Sequence, residues 1–111
     1  MKVISVASAT ALAGLLSLVP AAYGDGYHEC SYGKVFPMSE IRHKLEFGNF
    51  EDARDTDPTG PNDEEYFGMR FDMMPVPEVT VTYLIQIIYK APYYRFYEET
   101  TSGWRPCPFL D

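Results

Sequence analysis

The sequence predicts an α+β fold in which a single helix packs on a curved antiparallel sheet. Met38, Ile41 and Leu45 recur at helical spacing, whereas most of the chain after residue 66 alternates with the period of two that is typical of strands. The two cysteines, Cys30 and Cys107, stand far apart near the ends of the domain. A disulfide between them is expected to tie an N-terminal hairpin to the C-terminal strand; two free thiols or an intermolecular bridge are the alternatives.

The hairpin is predicted from short strands at residues 27–31 and 34–36, which flank Tyr32 and Gly33. The helix follows, with Pro37 tolerated at its start and Ser39 as a plausible N-cap. Gly48 is a natural end for it. One helix of about ten residues needs tertiary packing to persist, so the sheet must supply its partner surface.

Strands are predicted at residues 66–73, 79–89, 93–99 and 104–110, with a break at residues 75–77. In the strand at 79–89 both alternating sets of side chains become apolar toward the end, which indicates a central strand covered on both sides. Residues 50–65 form an acidic loop, interpreted as a solvated surface. A partner-binding loop and a weak calcium site are the alternatives, and the acidic spacing does not match an EF-hand.

The chain is expected to divide into a secretory signal peptide at residues 1–24 and one domain at residues 25–111. Lys2 is followed by an apolar run that includes residues 11–19, and small residues Ala22 and Gly24 precede the expected cleavage point. We therefore expect a secreted protein with no membrane anchor in its mature form. Secretion permits the disulfide, whose loop-closure effect is roughly 4–5 kcal/mol for a loop of nearly the whole domain.

Composition and motifs narrow the classes of function. The formal net charge of −7 disfavours nonspecific electrostatic binding to the phosphate backbone of a nucleic acid. Two cysteines and two scattered histidines form no zinc pattern, and neither a nucleophile elbow nor a phosphate-binding glycine loop is present. We expect no metal and no cofactor.

The arrangement resembles a known family. Its layout is similar to that of the fungal guanyl-specific ribonuclease fold. The shared features are a secretory leader, a cysteine soon after it, a helix within twenty residues, an antiparallel meander and a second cysteine near the end. The chain resembles more closely the ribonuclease-like secreted effectors of powdery mildew fungi. Many of those carry an aromatic residue two positions before the cysteine, whereas here Tyr27 stands three positions before Cys30.

The resemblance implies a fold that generally lacks the ribonuclease catalytic set. Active members use Glu and His residues with a helping Arg and Tyr, and their acid His precedes the final strand. No histidine follows His43 in this chain. His28 and His43 are interpreted as structural or surface residues, and a carboxylate pair, for example Glu98 with Asp72, could act in principle. We expect no enzymatic activity.

An aromatic and arginine surface is predicted on one face of the sheet. Its members are Tyr66, Arg70, Tyr93, Arg95 and Tyr97. Such residues are typical of protein interfaces, but they also serve as cross-strand pairs or as a stacking surface for RNA. The resemblance implies a monomeric secreted effector that binds host proteins to modulate plant immunity, with a plant immune receptor as a further partner and the host cytoplasm as a further destination. An active guanyl-type ribonuclease and a non-catalytic, weak RNA binder are the alternatives.

Overall fold

The computed structural model describes residues 26–60, 65–90 and 92–111, so the predicted signal peptide lies outside the described residues. Within those ranges one α-helix accompanies eight strands, and the predicted α+β class is confirmed. The elements in chain order are β1 (Tyr27–Glu29), β2 (Val35–Pro37), α1 (Met38–Phe47), β3 (Glu51–Asp52), β4 (Phe67–Val76), β5 (Val79–Ile87), β6 (Tyr94–Thr100), β7 (Gly103–Pro106) and β8 (Phe109–Leu110).

A small sheet joins the two ends of the domain. Its strand order is β2-β1-β8, and both pairings are antiparallel. The predicted hairpin is present, and a 3₁₀ turn at Ser31–Gly33 connects its strands with positive φ at Tyr32 and Gly33. The single strand predicted at 104–110 is wrong, because the chain leaves the large sheet after β7 and enters the small one as β8. Cys107 lies between these two strands.

The predicted disulfide is confirmed. Cys30 follows β1 directly and is bonded to Cys107, 77 positions later in the chain. Both cysteines are buried within the apolar core. The bond therefore fixes the N-terminal strand region to the C-terminal strand, as the position of the cysteines suggested.

The helix α1 begins after Pro37, which occupies the N-cap position. Ser39 lies inside the first turn and no side chain caps the helix, so the predicted Ser39 cap is wrong. Because Pro37 has no N–H group, the start of the helix has one fewer backbone donor that needs a hydrogen-bond partner. At the other end the N–H of Gly48 donates to the Lys44 carbonyl over 2.8 Å. The buried stripe of the helix consists of Met38, Ile41 and Leu45.

The large sheet has the order β3-β4-β5-β6-β7, with every neighbouring pair antiparallel and β5 at the centre. We call the face that meets α1 and the small sheet the inner face, and the opposite one the outer face. Phe36 of β2 sits in the core with no exposed surface, and its ring makes edge contacts with Phe71, Tyr83 and Phe96 of the inner face. These rings form the centre of the core.

Two details of the large sheet differ from expectation. The strand β4 continues through Pro75 to Val76, with a shift of register between Met73 and Val76 that accommodates a residue unable to donate to the ladder. Inside the predicted acidic loop, Glu51 and Asp52 form the short edge strand β3.

Among the described residues, no helix has the length and apolar character that crossing a membrane requires.

Candidate functional site

The register of the large sheet divides the predicted aromatic and arginine surface into two groups. Arg70, Arg95 and Tyr97 lie on the outer face, because Arg70 pairs with Leu84 on β5 and Leu84 pairs in turn with Tyr97. Tyr66 and Tyr93 each precede a strand and pack against the inner core instead. The structure therefore brings three of the five residues together on one face.

A segment of the acidic loop covers that face. We call residues 54–60 the cover loop. Its central residue Asp57 is buried, although the sequence suggested a solvated acidic run, and its carboxylate forms an ion pair with Arg70. The Arg54 N–H also donates to Asp57 Oδ2 over 2.8 Å, which closes the loop on itself. The interpretation of the whole loop as a solvated surface is thus wrong at its centre.

The environment of Arg70 combines charge, burial and an aromatic ring. Its side chain is only 18% exposed, and the guanidinium carbon lies 5.7 Å from the centre of the Trp104 ring. Burial lowers the pKa of Arg70, and the positive charge of nearby Arg54 lowers it further. Asp57 offsets the cost of this burial by supplying an opposite charge at the same place.

Two further sheet residues hold the backbone of the cover loop. Gln86 Nε2 donates to the Pro58 carbonyl over 2.7 Å, and Trp104 Nε1 donates to the Thr56 carbonyl over 3.1 Å. At Gly60 the backbone approaches so closely that a Cβ atom would overlap the Arg95 guanidinium. The outer face therefore contacts the loop mainly through polar groups.

The inner face carries a buried carboxylate near its edge. Glu98 is 1% exposed and accepts the Ser31 N–H at 3.0 Å and the Ser31 hydroxyl at 2.8 Å. Arg105, paired with Glu98 across β6 and β7, completes the site with an ion pair while remaining about half exposed. Tyr83 is the β5 partner of Glu98, and burial, helped by the Glu98 charge, raises its pKa.

An open groove of about 640 Å³ passes beside Glu98. Tyr32 stands at its rim, 58% exposed and with a positive φ, and Val79 contributes to its apolar lining. A carboxylate that lines a groove and has a guanidinium as its ion-pair partner supplies part of what phosphate chemistry needs. Glu99 also lines the groove, whereas no histidine is among its described lining residues, so a matched acid for these carboxylates is the missing part.

The proposed carboxylate partner does not reach this groove. Asp72 is on the outer face, where it accepts a hydrogen bond from the Thr82 hydroxyl at 2.7 Å. Glu98 is on the inner face. A pair acting on one phosphate must approach it from the same cavity, so the pairing of Glu98 with Asp72 is wrong.

His28 is a buried structural residue. Its Nδ1 lies 2.7 Å from the Cys107 carbonyl, and its Nε2 lies 2.8 Å from the Tyr94 hydroxyl. These partners fit a neutral ring that donates from Nδ1 and accepts at Nε2. Burial lowers the pKa of His28, only partly opposed by the bond to Cys107. His43 lies exposed on α1 beside the ring of Phe47.

One cluster has the composition of a metal site without its chemistry. The ligand atoms of Cys30, Cys107 and Glu98 lie within 4.8 Å of one another. Both sulfur atoms belong to the disulfide, so neither is a thiolate able to bind a metal.

Sequence reasoning missed the residues that seat the cover loop, above all Asp57 and Trp104. One signal was in the sequence: on the second face of the strand predicted at 79–89, Leu84 and Ile88 are apolar, and the structure buries both together with Gln86. That pattern requires a cover on the outer face, and the cover loop is that cover.

No protein-family model matches the chain, and no curated protein matches it significantly.

Proposed function

We propose that this protein is a secreted, non-catalytic effector of the ribonuclease-like kind described for powdery mildew fungi, and that it acts by binding a host protein. The observation that carries the proposal is the engagement of its acid–base side chains. Glu98 is held by Ser31 and Arg105, and both ring nitrogens of His28 have partners inside the core. Groups committed in this way lack the free, facing positions that general acid–base catalysis needs.

A protein-binding role is supported by apolar side chains on the outward face of the small sheet. Val35 on β2 and Leu110 on β8 are exposed, whereas Phe36 and His28, which alternate with the outward residues, are buried. Val35 and Leu110 lie on the two sides of β1 on this face, and exposed apolar side chains on one sheet face are typical of a surface that a partner covers.

The binding test uses purified mature protein, cross-linked in extract of host tissue and analysed by quantitative mass spectrometry. We expect a partner to be recovered with the parent protein and lost in a Val35→Ser, Leu110→Ser double variant. Met74→Ser is the matched control, since Met74 is 60% exposed at the far end of β4. Equal recovery with the double variant would remove the small sheet as the contact surface.

An active ribonuclease is the second candidate, favoured by the position of Glu98, the ion-pair partner of Arg105, beside an open groove. The discriminating assay is turnover of a guanine-containing dinucleotide by the purified protein. Our proposal expects no turnover above that of buffer. Turnover that disappears in Glu98→Gln but persists in Asp72→Asn would establish the enzyme and refute the proposal.

A further inference from the structure

We propose that the outer face is a docking site for an acidic segment of a partner protein, and that the cover loop occupies it as an internal competitor. This inference rests on the proposed function as a protein-binding module. The loop shows the chemistry that the face accepts, because three consecutive residues are bound by three different strands. Thr56 is bound by Trp104 of β7, Asp57 by Arg70 of β4, and Pro58 by Gln86 of β5.

The face recognises a carboxylate flanked by two backbone carbonyls. Arg70 supplies the cation and Trp104 and Gln86 supply neutral donors on either side of it. Apart from the Asp57 carboxylate, these contacts use backbone carbonyls, which a peptide that adopts the turn of the cover loop also presents. A segment of another chain with one acidic side chain in the middle position can make the same contacts.

The loop is an imperfect ligand for this face. Gln86 is almost fully buried, yet its Oε1 has no hydrogen-bond partner among the residues that the structure describes. A peptide whose backbone N–H reaches that oxygen would satisfy a group that the loop leaves unpaired. Within the cover loop only Asp57 is buried, while Asp55, Thr56 and Thr59 are exposed. Apart from Leu84 beneath the loop, little apolar surface therefore opposes exchange.

The negative charge of the whole chain does not forbid an acidic partner. At physiological ionic strength charges are screened beyond about 8 Å, so the groups beside the bound carboxylate decide the interaction. Arg54 and Arg70 lie there together with Glu51 and Glu99, which act on the Arg70 guanidinium from nearby. Departure of the loop removes Arg54 together with Asp57, so the local net charge is unchanged and the Arg70 guanidinium loses its carboxylate partner.

The test uses Asp57→Asn, which weakens the loop without changing its size. The chain has a single tryptophan, and its indole contacts the loop, so its fluorescence reports loop release. The probe is a labelled synthetic peptide with the sequence of residues 53–60. We expect Asp57→Asn to shift the Trp104 emission and to bind the peptide at least about tenfold more tightly than the parent protein. Arg70→Met in the same variant should abolish that gain.

A peptide with Asn in place of its Asp57 is the matched control and should bind neither protein. Unshifted emission in a folded Asp57→Asn variant, or shifted emission without peptide binding, would each overturn the inference. If the variant does not fold, millimolar peptide must still displace the loop of the parent protein and move the Trp104 indole N–H signal in NMR; an unmoved signal overturns the inference as well. The synthetic probe makes these outcomes independent of the host-protein and ribonuclease assays.

Discussion

Replacing Cys30 and Cys107 together by alanine removes the cross-link that closes the domain. The bridge joins residues 77 positions apart, and the loop-entropy relation for that separation gives about 4.5 kcal/mol at 25 °C. This approaches the whole stability of many small domains, which begins near 5 kcal/mol. With a urea dependence of about 1–3 kcal/mol per molar, the unfolding midpoint should fall by roughly 2–4 M or the domain should unfold outright.

Urea unfolding followed by circular dichroism, with and without reductant, measures this effect. We expect reductant to lower the midpoint of the parent protein toward that of the double variant and to leave the variant unchanged. Because both cysteines are buried, the variant also loses packing, and the comparison with reduced parent protein separates the two losses. Equal midpoints for the oxidised parent and the double variant would refute the entropic reasoning.

Three further predictions concern the core and its polar groups. Arg105→Ala should destabilise the fold by about 3 kcal/mol, because it leaves the buried Glu98 charge without its partner. Glu98→Gln removes that charge and should cost only about 1 kcal/mol. Equal urea midpoints for the two variants would contradict this reasoning. Burial lowers the pKa of His28 in the folded state, so the unfolded state binds the proton more tightly. The folding stability that is present above about pH 6.5 should therefore decline as the pH falls toward the folded-state pKa of His28. His28→Gln should flatten that part of the profile, and a parallel decline would show another group to be responsible. Phe36→Ala should cost about 3–5 kcal/mol in thermal or urea unfolding, and a loss below 1 kcal/mol would mean that the ring is not central to the core.

The sequence was sufficient where the signal is local. The stripe of Met38, Ile41 and Leu45 predicted the buried face of the helix, and alternation along residues 79–89 predicted the central strand. The disulfide followed from two cysteines and an assumed oxidising compartment. Each of these depends on a short period or on a choice among very few partners, which one sequence can supply.

The candidate site could not be predicted because it depends on contacts between distant residues. Trp104 meets Thr56 across 48 positions, and Gln86 meets Pro58 across 28. In the sequence, a run of acidic residues that is solvated cannot be distinguished from one that forms an ion pair with a distant arginine. Only the register of the sheet, which brings Arg70 beneath the loop, distinguishes the two. The split of residues 104–110 between two sheets likewise depends on tertiary pairing.

The bond between Cys30 and Cys107 also turns the chain between them into a closed covalent ring. A ring cannot be threaded as one extended strand through an opening of single-chain width; it passes as a double strand or is first cut by reduction. Crossing a membrane unfolded through an opening of single-chain width would therefore require the loss of this bond. In a reducing cytosol the bond would not readily re-form, and refolding there would depend on the noncovalent core alone.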